Sequence, residues 1–364
     1  MLICRGVGLF VETCLRHLYL TALLAVLVCT SATAEPRARL VVTALGGGAF
    51  FNAFTKAFLQ PFAQTADVTY RMDDWGGELA KIEAAVDTKQ FPSMLYESSG
   101  LSAQQACDAG LVEPIDYETL GGTNAYIKGS VNECAFAFMS WSYVYGYRTD
   151  AFGGRHPRTI NDFFDTKNFP GPRALPRSSY AIVEMALLAD GVPPEQIYPT
   201  LSTDEGLERA IAKLQTIRSS VTVFWTAFSQ APQLLSDGEV VMSIGANGRI
   251  DLAREAGKPV DIVWDGQMLD YGFISIPAGL PDKALALRFL EFMSDPKIMA
   301  GLSRYMTYGP SRLDAFAYID PETAKRLPTA PQNMTRYVVA DPKFWSMNVD
   351  RVERRYLAWM SQSQ

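Results

Sequence analysis

The spacing of apolar positions changes repeatedly along the chain. Residues 40–45 form a short apolar run that Gly46-Gly47-Gly48 interrupts. Phe51, Phe54 and Phe58 then recur at helical spacing up to Pro61. Val68, Tyr70 and Met72 alternate as in a half-buried strand. Leu79, Ile82 and Val86 mark a helix face, residues 94–96 a short strand, and residues 101–109 another helix. Strands alternating with helices predict an α/β fold built on a largely parallel sheet.

The same style continues downstream. Residues 136–147, rich in aromatics, read as one or two strands. Residues 159–164 read as a short helix before a Pro/Gly-rich loop at 170–176, and a further helix begins at Tyr180, with Glu184 on a solvated face. Ser202-Thr203-Asp204-Glu205 has the form of a capping box, and Leu207, Ile211, Leu214 and Ile217 follow at helical spacing. Residues 221–225 are again a strand.

The stretch DGEVVMSIGANGR, residues 237–249, reads as a turn, a buried strand at 240–244 and a small-residue loop at Gly245, Ala246 and Gly248. A helix follows. Such a loop exposes backbone amides at the C-terminal edge of a sheet, where open α/β folds bind ligands. Here it carries Asn247 and Arg249 in place of a phosphate fingerprint. Residues 271–276 are a strand ended by Pro277, 283–293 an amphipathic helix, and 351–360 a last helix. No repeat or low-complexity linker divides the chain, so its parts are expected to be joined by crossing strands.

The N-terminus changes the setting. Arg5, Arg16 and His17 precede an apolar run at 18–28, and Ser31-Ala32-Thr33-Ala34 offers an Ala-x-Ala cleavage site. This is the pattern of a secretory signal peptide, with a run too short for a comfortable membrane span. The remainder of the 364-residue chain exceeds what one core usually serves, so two lobes are expected. The net charge of −6 gives no basic stripe for nucleic acid. Cys4, Cys14 and Cys29 fall in the leader. Cys107 and Cys134 remain, an even count that predicts a disulfide in an oxidising compartment, with two buried free thiols as the alternative. Closing that loop is worth about 3 kcal/mol in the chain-entropy picture. His156 sits in a turn, and one histidine does not support a zinc site or a serine triad. Tyr143, Tyr145 and Tyr147 alternate on a strand, which does not suit a paired-tyrosine ferric site.

The segments GLVEPID, FFDTKNFPGPRAL, LSDGEVVMSIGANGR, and ISIPAGL followed by FLEFMSDP occur in an order that resembles the periplasmic spermidine/putrescine-binding proteins and their wider solute-binding kin, the extracytoplasmic receptors of ABC importers. The resemblance implies a type II periplasmic-binding-protein fold of two α/β lobes, each a mixed sheet flanked by helices. The boundaries expected are a signal peptide at 1–34, one lobe at 35–146 plus 273–311, and the other at 147–272 plus 312–364. It implies a periplasmic monomer that clamps a small solute between its lobes, presents it to a membrane permease, and needs no cofactor. A thiaminase-like enzyme on the same fold would need Cys107 or Cys134 free and paired with a base.

The resemblance also marks site positions, and several depart from the polyamine pattern. Leu45 and Gly46 stand where an aromatic residue is usual. Arg177 and Ser178 follow PGPRAL in a loop that usually carries acids. Asn247 and Arg249 follow the strand where a tryptophan is usual. Asp270 replaces a Trp/Asp region, Arg312 a short polar residue, and Ser99 aligns with a hydrogen-bonding position. Carboxylates lost and arginines gained point to a ligand with a carboxylate, since a guanidinium matches one with paired donors. Asp270 and Glu97 are candidates to hold an ammonium. Trp141, Tyr143 and Trp225 are candidates for stacking or cation–π contacts. The expected solute is amino-acid-like, a γ-amino acid or an opine, with a polyamine as the alternative. Each position also has a plain structural reading: surface ion pairs for the arginines, core packing for the tryptophans, a helix N-cap for Ser99, and a turn for Asp270.

Overall fold

The computed structural model describes residues 37–362. The expected signal peptide and its three cysteines lie outside the described residues. Ten strands form one mixed sheet: β1 (Arg39–Leu45), β2 (Thr69–Trp75), β3 (Leu95–Ser99), β4 (Phe136–Arg148), β5 (Arg173–Pro176), β6 (Val221–Trp225), β7 (Met242–Ala246), β8 (Val260–Ser275), β9 (Gly309–Pro310) and β10 (Tyr337–Val339). Their order is β2-β1-β3-β8-β4-β7-β5-β6, with β10 on β8 and β9 on β4.

The sheet has two parallel flanks. In the first, β1 lies between β2 and β3. In the second, β5 lies between β6 and β7. The long antiparallel strands β4 and β8 run between them and pair with each other along most of their length. β8 also bonds to β3, and β4 to β7, so two continuous strands join the flanks without a tether. The aromatic run at 136–147 is thus one strand, with register irregularities near Ala137/Met139 and Tyr143/Tyr145. β9 and β10 are too short to show a period in the sequence.

Helices cover the sheet where the 3.6-residue period predicts them. The phenylalanine helix differs in one respect. It does not stop at Pro61 but passes through a wide π turn at Thr55–Leu59 into Gln60–Ala66. Pro61 sits in the first turn after that reset, where a missing N–H costs little. Phe54, Phe58 and Phe138 meet edge-on in the core beneath it. Thr203 caps Asp204–Gln215 by accepting from Gly206 N–H at 3.0 Å. Cys107 and Cys134 are bonded, with Cα atoms 5.5 Å apart, and tie the helix Gly100–Asp108 to the segment before β4.

The small-residue loop expected after β7 is absent. The strand continues through Gly245 and Ala246, and the helix Asn247–Glu255 starts at once. The small residues serve close packing instead. A Cβ on Gly248 would lie 2.6 Å from the Tyr308 ring and 2.7 Å from Met306. Glu184 is also placed differently from expectation: it is fully buried, accepting from Trp345 Nε1 at 2.7 Å and from the Tyr198 hydroxyl at 3.3 Å.

Candidate functional site

The parallel strands of both flanks end toward one cavity of about 260 Å³. Carboxyl ends of strands are where α/β sheets leave a crevice, because the chain departs there in loops. The first flank supplies Leu45 and Gly46 after β1, Gly76 after β2, and Glu97, Ser98 and Ser99 from β3. The second supplies Ser178 and Tyr180 after β5, Phe228 after β6, Ala246 at the end of β7, and Arg249 from the next helix. Met139, Trp141 and Tyr143 enter from alternate positions of β4, and Tyr308 from the turn before β9.

The walls are aromatic. Trp141 lies 4.9 Å from Tyr143 between ring centroids and 5.6 Å from Phe228, and Tyr143 lies 6.1 Å from Tyr180. Burial pushes the hydroxyls of Tyr143, Tyr180 and Tyr308 above the usual phenol range, so these walls are neutral.

Two ionisable side chains face this cavity. Arg249 donates through Nη2 to the Gly46 carbonyl at 2.7 Å, and its guanidinium lies 6.0 Å from the Phe228 ring centre. It forms no salt bridge among the described residues. Glu97 accepts the Leu45 N–H at 2.9 Å, and its strand is held by Trp75 Nε1 donating to the Glu97 carbonyl at 2.9 Å. Burial pushes the Glu97 carboxyl up to about 8, against the opposing pull of the Leu45 N–H and of the Arg249 charge. Neighbouring residues at the end of β1 therefore hold the carboxyl and the guanidinium, one on the N–H of Leu45 and one on the carbonyl of Gly46.

Of the positions marked in the sequence, Leu45, Gly46, Glu97, Ser99, Trp141, Tyr143, Ser178 and Arg249 come together on this cavity. Ser99 also caps its helix, accepting from Ser102 N–H at 3.4 Å. The other five do not line it. Arg177 is exposed. Trp225 donates to the Ile244 carbonyl at 3.1 Å and packs behind Phe228. Asn247 is fully buried, accepting from Ser142 N–H at 2.9 Å and donating to the Thr307 carbonyl at 2.7 Å, so it fastens elements together. Asp270 accepts from Tyr271 N–H and from the Tyr180 hydroxyl, and so supports a wall residue from behind. Arg312 is consumed by Asp314 and by the carbonyls of Leu120 and Ser294. Tyr180, Phe228 and Tyr308 lie in loops and carried no local signal.

Residues 49–332 match the family of bacterial extracellular solute-binding proteins. The chain belongs to that family. It is 33% identical over 329 residues to the gamma-aminobutyric acid-binding protein of Pseudomonas aeruginosa, covering 90% of this chain and 93% of that one. It is 25% identical over 224 residues to the spermidine/putrescine-binding periplasmic protein of Escherichia coli, covering 59% and 62% respectively. Its structure is similar to that of the binding protein MotA from A. tumefaciens B6 in complex with glucopine. The TM-score is 0.81 and the identity 31%, over 88% of this chain and 99% of that one. The fold is that of the periplasmic binding proteins, and proteins of this kind bind solutes without transforming them.

Proposed function

We propose that this chain is the periplasmic receptor of an ABC importer for a small zwitterion of the γ-amino-acid type. One observation carries the reading: a single aromatic-walled cavity is faced by a guanidinium and a carboxyl group that do not pair with each other. A ligand carboxylate would take paired donors from Arg249, its ammonium would face Glu97, and its methylenes would lie against Trp141, Tyr143 and Phe228. The cavity of about 260 Å³ sits just below the usual range for drug-sized ligands, which suits a compact solute. The likeness to a γ-aminobutyric acid-binding protein supports the same class.

The two flanks are taken as two lobes, with the boundaries near 146 and 273 falling within β4 and β8. A ligand that touches both lobes favours the closed state, and the closed form is what a permease would receive. A diamine would suit Glu97 and the aromatic walls but would meet a second cation in Arg249. A thermal-shift panel of γ-aminobutyric acid, putrescine and an opine tests this. A ligand at 100 times its dissociation constant adds about 2.7 kcal/mol to the folded state. The amino acid is expected to stabilise the protein and putrescine to leave it unchanged. The reverse result overturns the reading.

A further inference from the structure

A second cavity, of about 530 Å³, adjoins the first. It opens between the glycine turn after β1 and the segment after β6, and Asp74, Thr226 and Ser229 are on its lining. Leu45, Gly46, Gly76, Phe228 and Arg249 line both cavities. The Arg249 guanidinium therefore stands on the partition between an inner and an outer chamber. What keeps it there is the Gly46 carbonyl, contributed by the opposite flank.

Gly46 has a φ of +92°, a region costly for a residue with a side chain. A Cβ there would lie 2.5 Å from Arg249 Nη2 and 3.6 Å from its Cζ. No real contact is that short, so the guanidinium would have to move. The same turn contains a natural control. Gly48 also has a positive φ, +51°, but a Cβ there meets nothing within 4 Å. The turn thus has backbone strain at both positions and a collision with a charged group at Gly46 alone.

We propose that Gly46 is a specificity-determining position acting through Arg249. Its bare Cα lets the guanidinium seat on the partition, where it borders the inner chamber and keeps donors for a carboxylate. With a side chain at 46 the guanidinium would swing toward the outer chamber. The inner chamber would then keep its aromatic walls and Glu97, which is a site for a cation and not for a zwitterion. This rests on the function proposed above.

The test is a double-mutant cycle on Gly46→Ala and Arg249→Met, with Gly48→Ala as the control. Dissociation constants are measured for γ-aminobutyric acid and for butylamine, the same chain without its carboxylate. Gly46→Ala is expected to weaken the amino acid by about tenfold or more and butylamine by no more than about twofold. In the Arg249→Met background the same change is expected to alter amino-acid affinity by no more than about twofold. Gly48→Ala is expected to leave selectivity untouched. An equal loss with both ligands, an equal loss in both backgrounds, or the same loss in Gly48→Ala would show only a distorted turn and overturn the proposal. Unchanged selectivity in Gly46→Ala would overturn it as well. A wild type that binds neither ligand overturns both the proposal and the function on which it rests.

Discussion

Arg249 and Arg312 carry the same group into quite different surroundings. Arg312 spends its donors within the fold: Nε and Nη2 on Asp314 at 3.0 and 2.7 Å, and Nη1 on the carbonyls of Leu120 and Ser294 at 3.1 and 2.8 Å. The fully buried Arg173 does likewise on the carbonyls of Phe163, Gly171 and Phe169. Arg249 is 8% exposed, yet it makes one bond to a carbonyl, forms no salt bridge and lines a cavity. A guanidinium's role is thus read from the donors the fold leaves unused.

The largest effects should divide along that line. Arg249→Met is expected to cost about 1.5–3 kcal/mol of binding free energy for a carboxylate ligand, the usual range for a charged hydrogen bond, and little stability. Arg312→Met strands two carbonyls and Asp314, and is expected to cost about 2–3 kcal/mol of stability with the dissociation constant unchanged. Calorimetry of binding and denaturant unfolding on the same two variants check both halves. An Arg312 variant that folds normally but binds poorly would break the comparison.

Two carboxyls repeat the contrast. Glu97 and Glu184 are both buried, and burial pushes them up to about 8 and about 7 from an ordinary 4.5. Glu97 faces the cavity, whereas Glu184 anchors the final helix, Pro342–Met360, through Trp345. Between pH 4.5 and those values the folded state keeps protons that the unfolded chain has released. Stability of the empty protein should therefore fall as pH rises through this window, by up to about 1.4 kcal/mol per pH unit for each group. Glutamine mimics the protonated form, so each Glu→Gln variant should flatten its share of the slope. Only Glu97 should also link protons to binding. An ammonium favours its ionised form, so affinity for the amino acid should rise with pH and level off above about 8. Calorimetry in buffers of different ionisation heats should show proton release near pH 7 in the wild type and in Glu184→Gln, and none in Glu97→Gln. Proton release that persists in Glu97→Gln would assign the linkage to another group.

The fold was legible because strands and helices declare their periods, and because strand ends mark the edge where a site can form. Leu45, Gly46, Ser99, Ser178 and Arg249 all stand at such ends. What the pattern could not resolve was direction. Asn247 and Arg249 are two residues apart on one helix, about 200° around its axis. One therefore points into the sheet and the other into the cavity. Tyr180, Phe228 and Tyr308 arrive from segments far apart in the chain, and only the assembled sheet brings them together. Glu184 did carry a signal that a solvated-face reading passed over. It is the single acid in the helix Ile182–Ala189, whose other residues are all apolar, and a helix apolar all round is a buried one.

The smallest expected effect is at Ser99, where structural and site roles share one hydroxyl. Its Oγ caps Gly100–Asp108 across a long 3.4 Å contact and also lines the cavity. Ser99→Ala removes both roles and is expected to cost about 0.5–1 kcal/mol of stability, the low end for a lost cap. Ser99→Asp restores the cap, because a carboxylate accepts the same N–H. It also places a negative charge on the wall that would receive a ligand carboxylate. Stability should return while affinity for γ-aminobutyric acid drops, with butylamine less affected. Loss of stability in both variants would make the hydroxyl's geometry, and not its capping, the feature that matters. Equal amino-acid affinity in both would place Ser99 with Arg312, among residues that build the frame without touching what it holds.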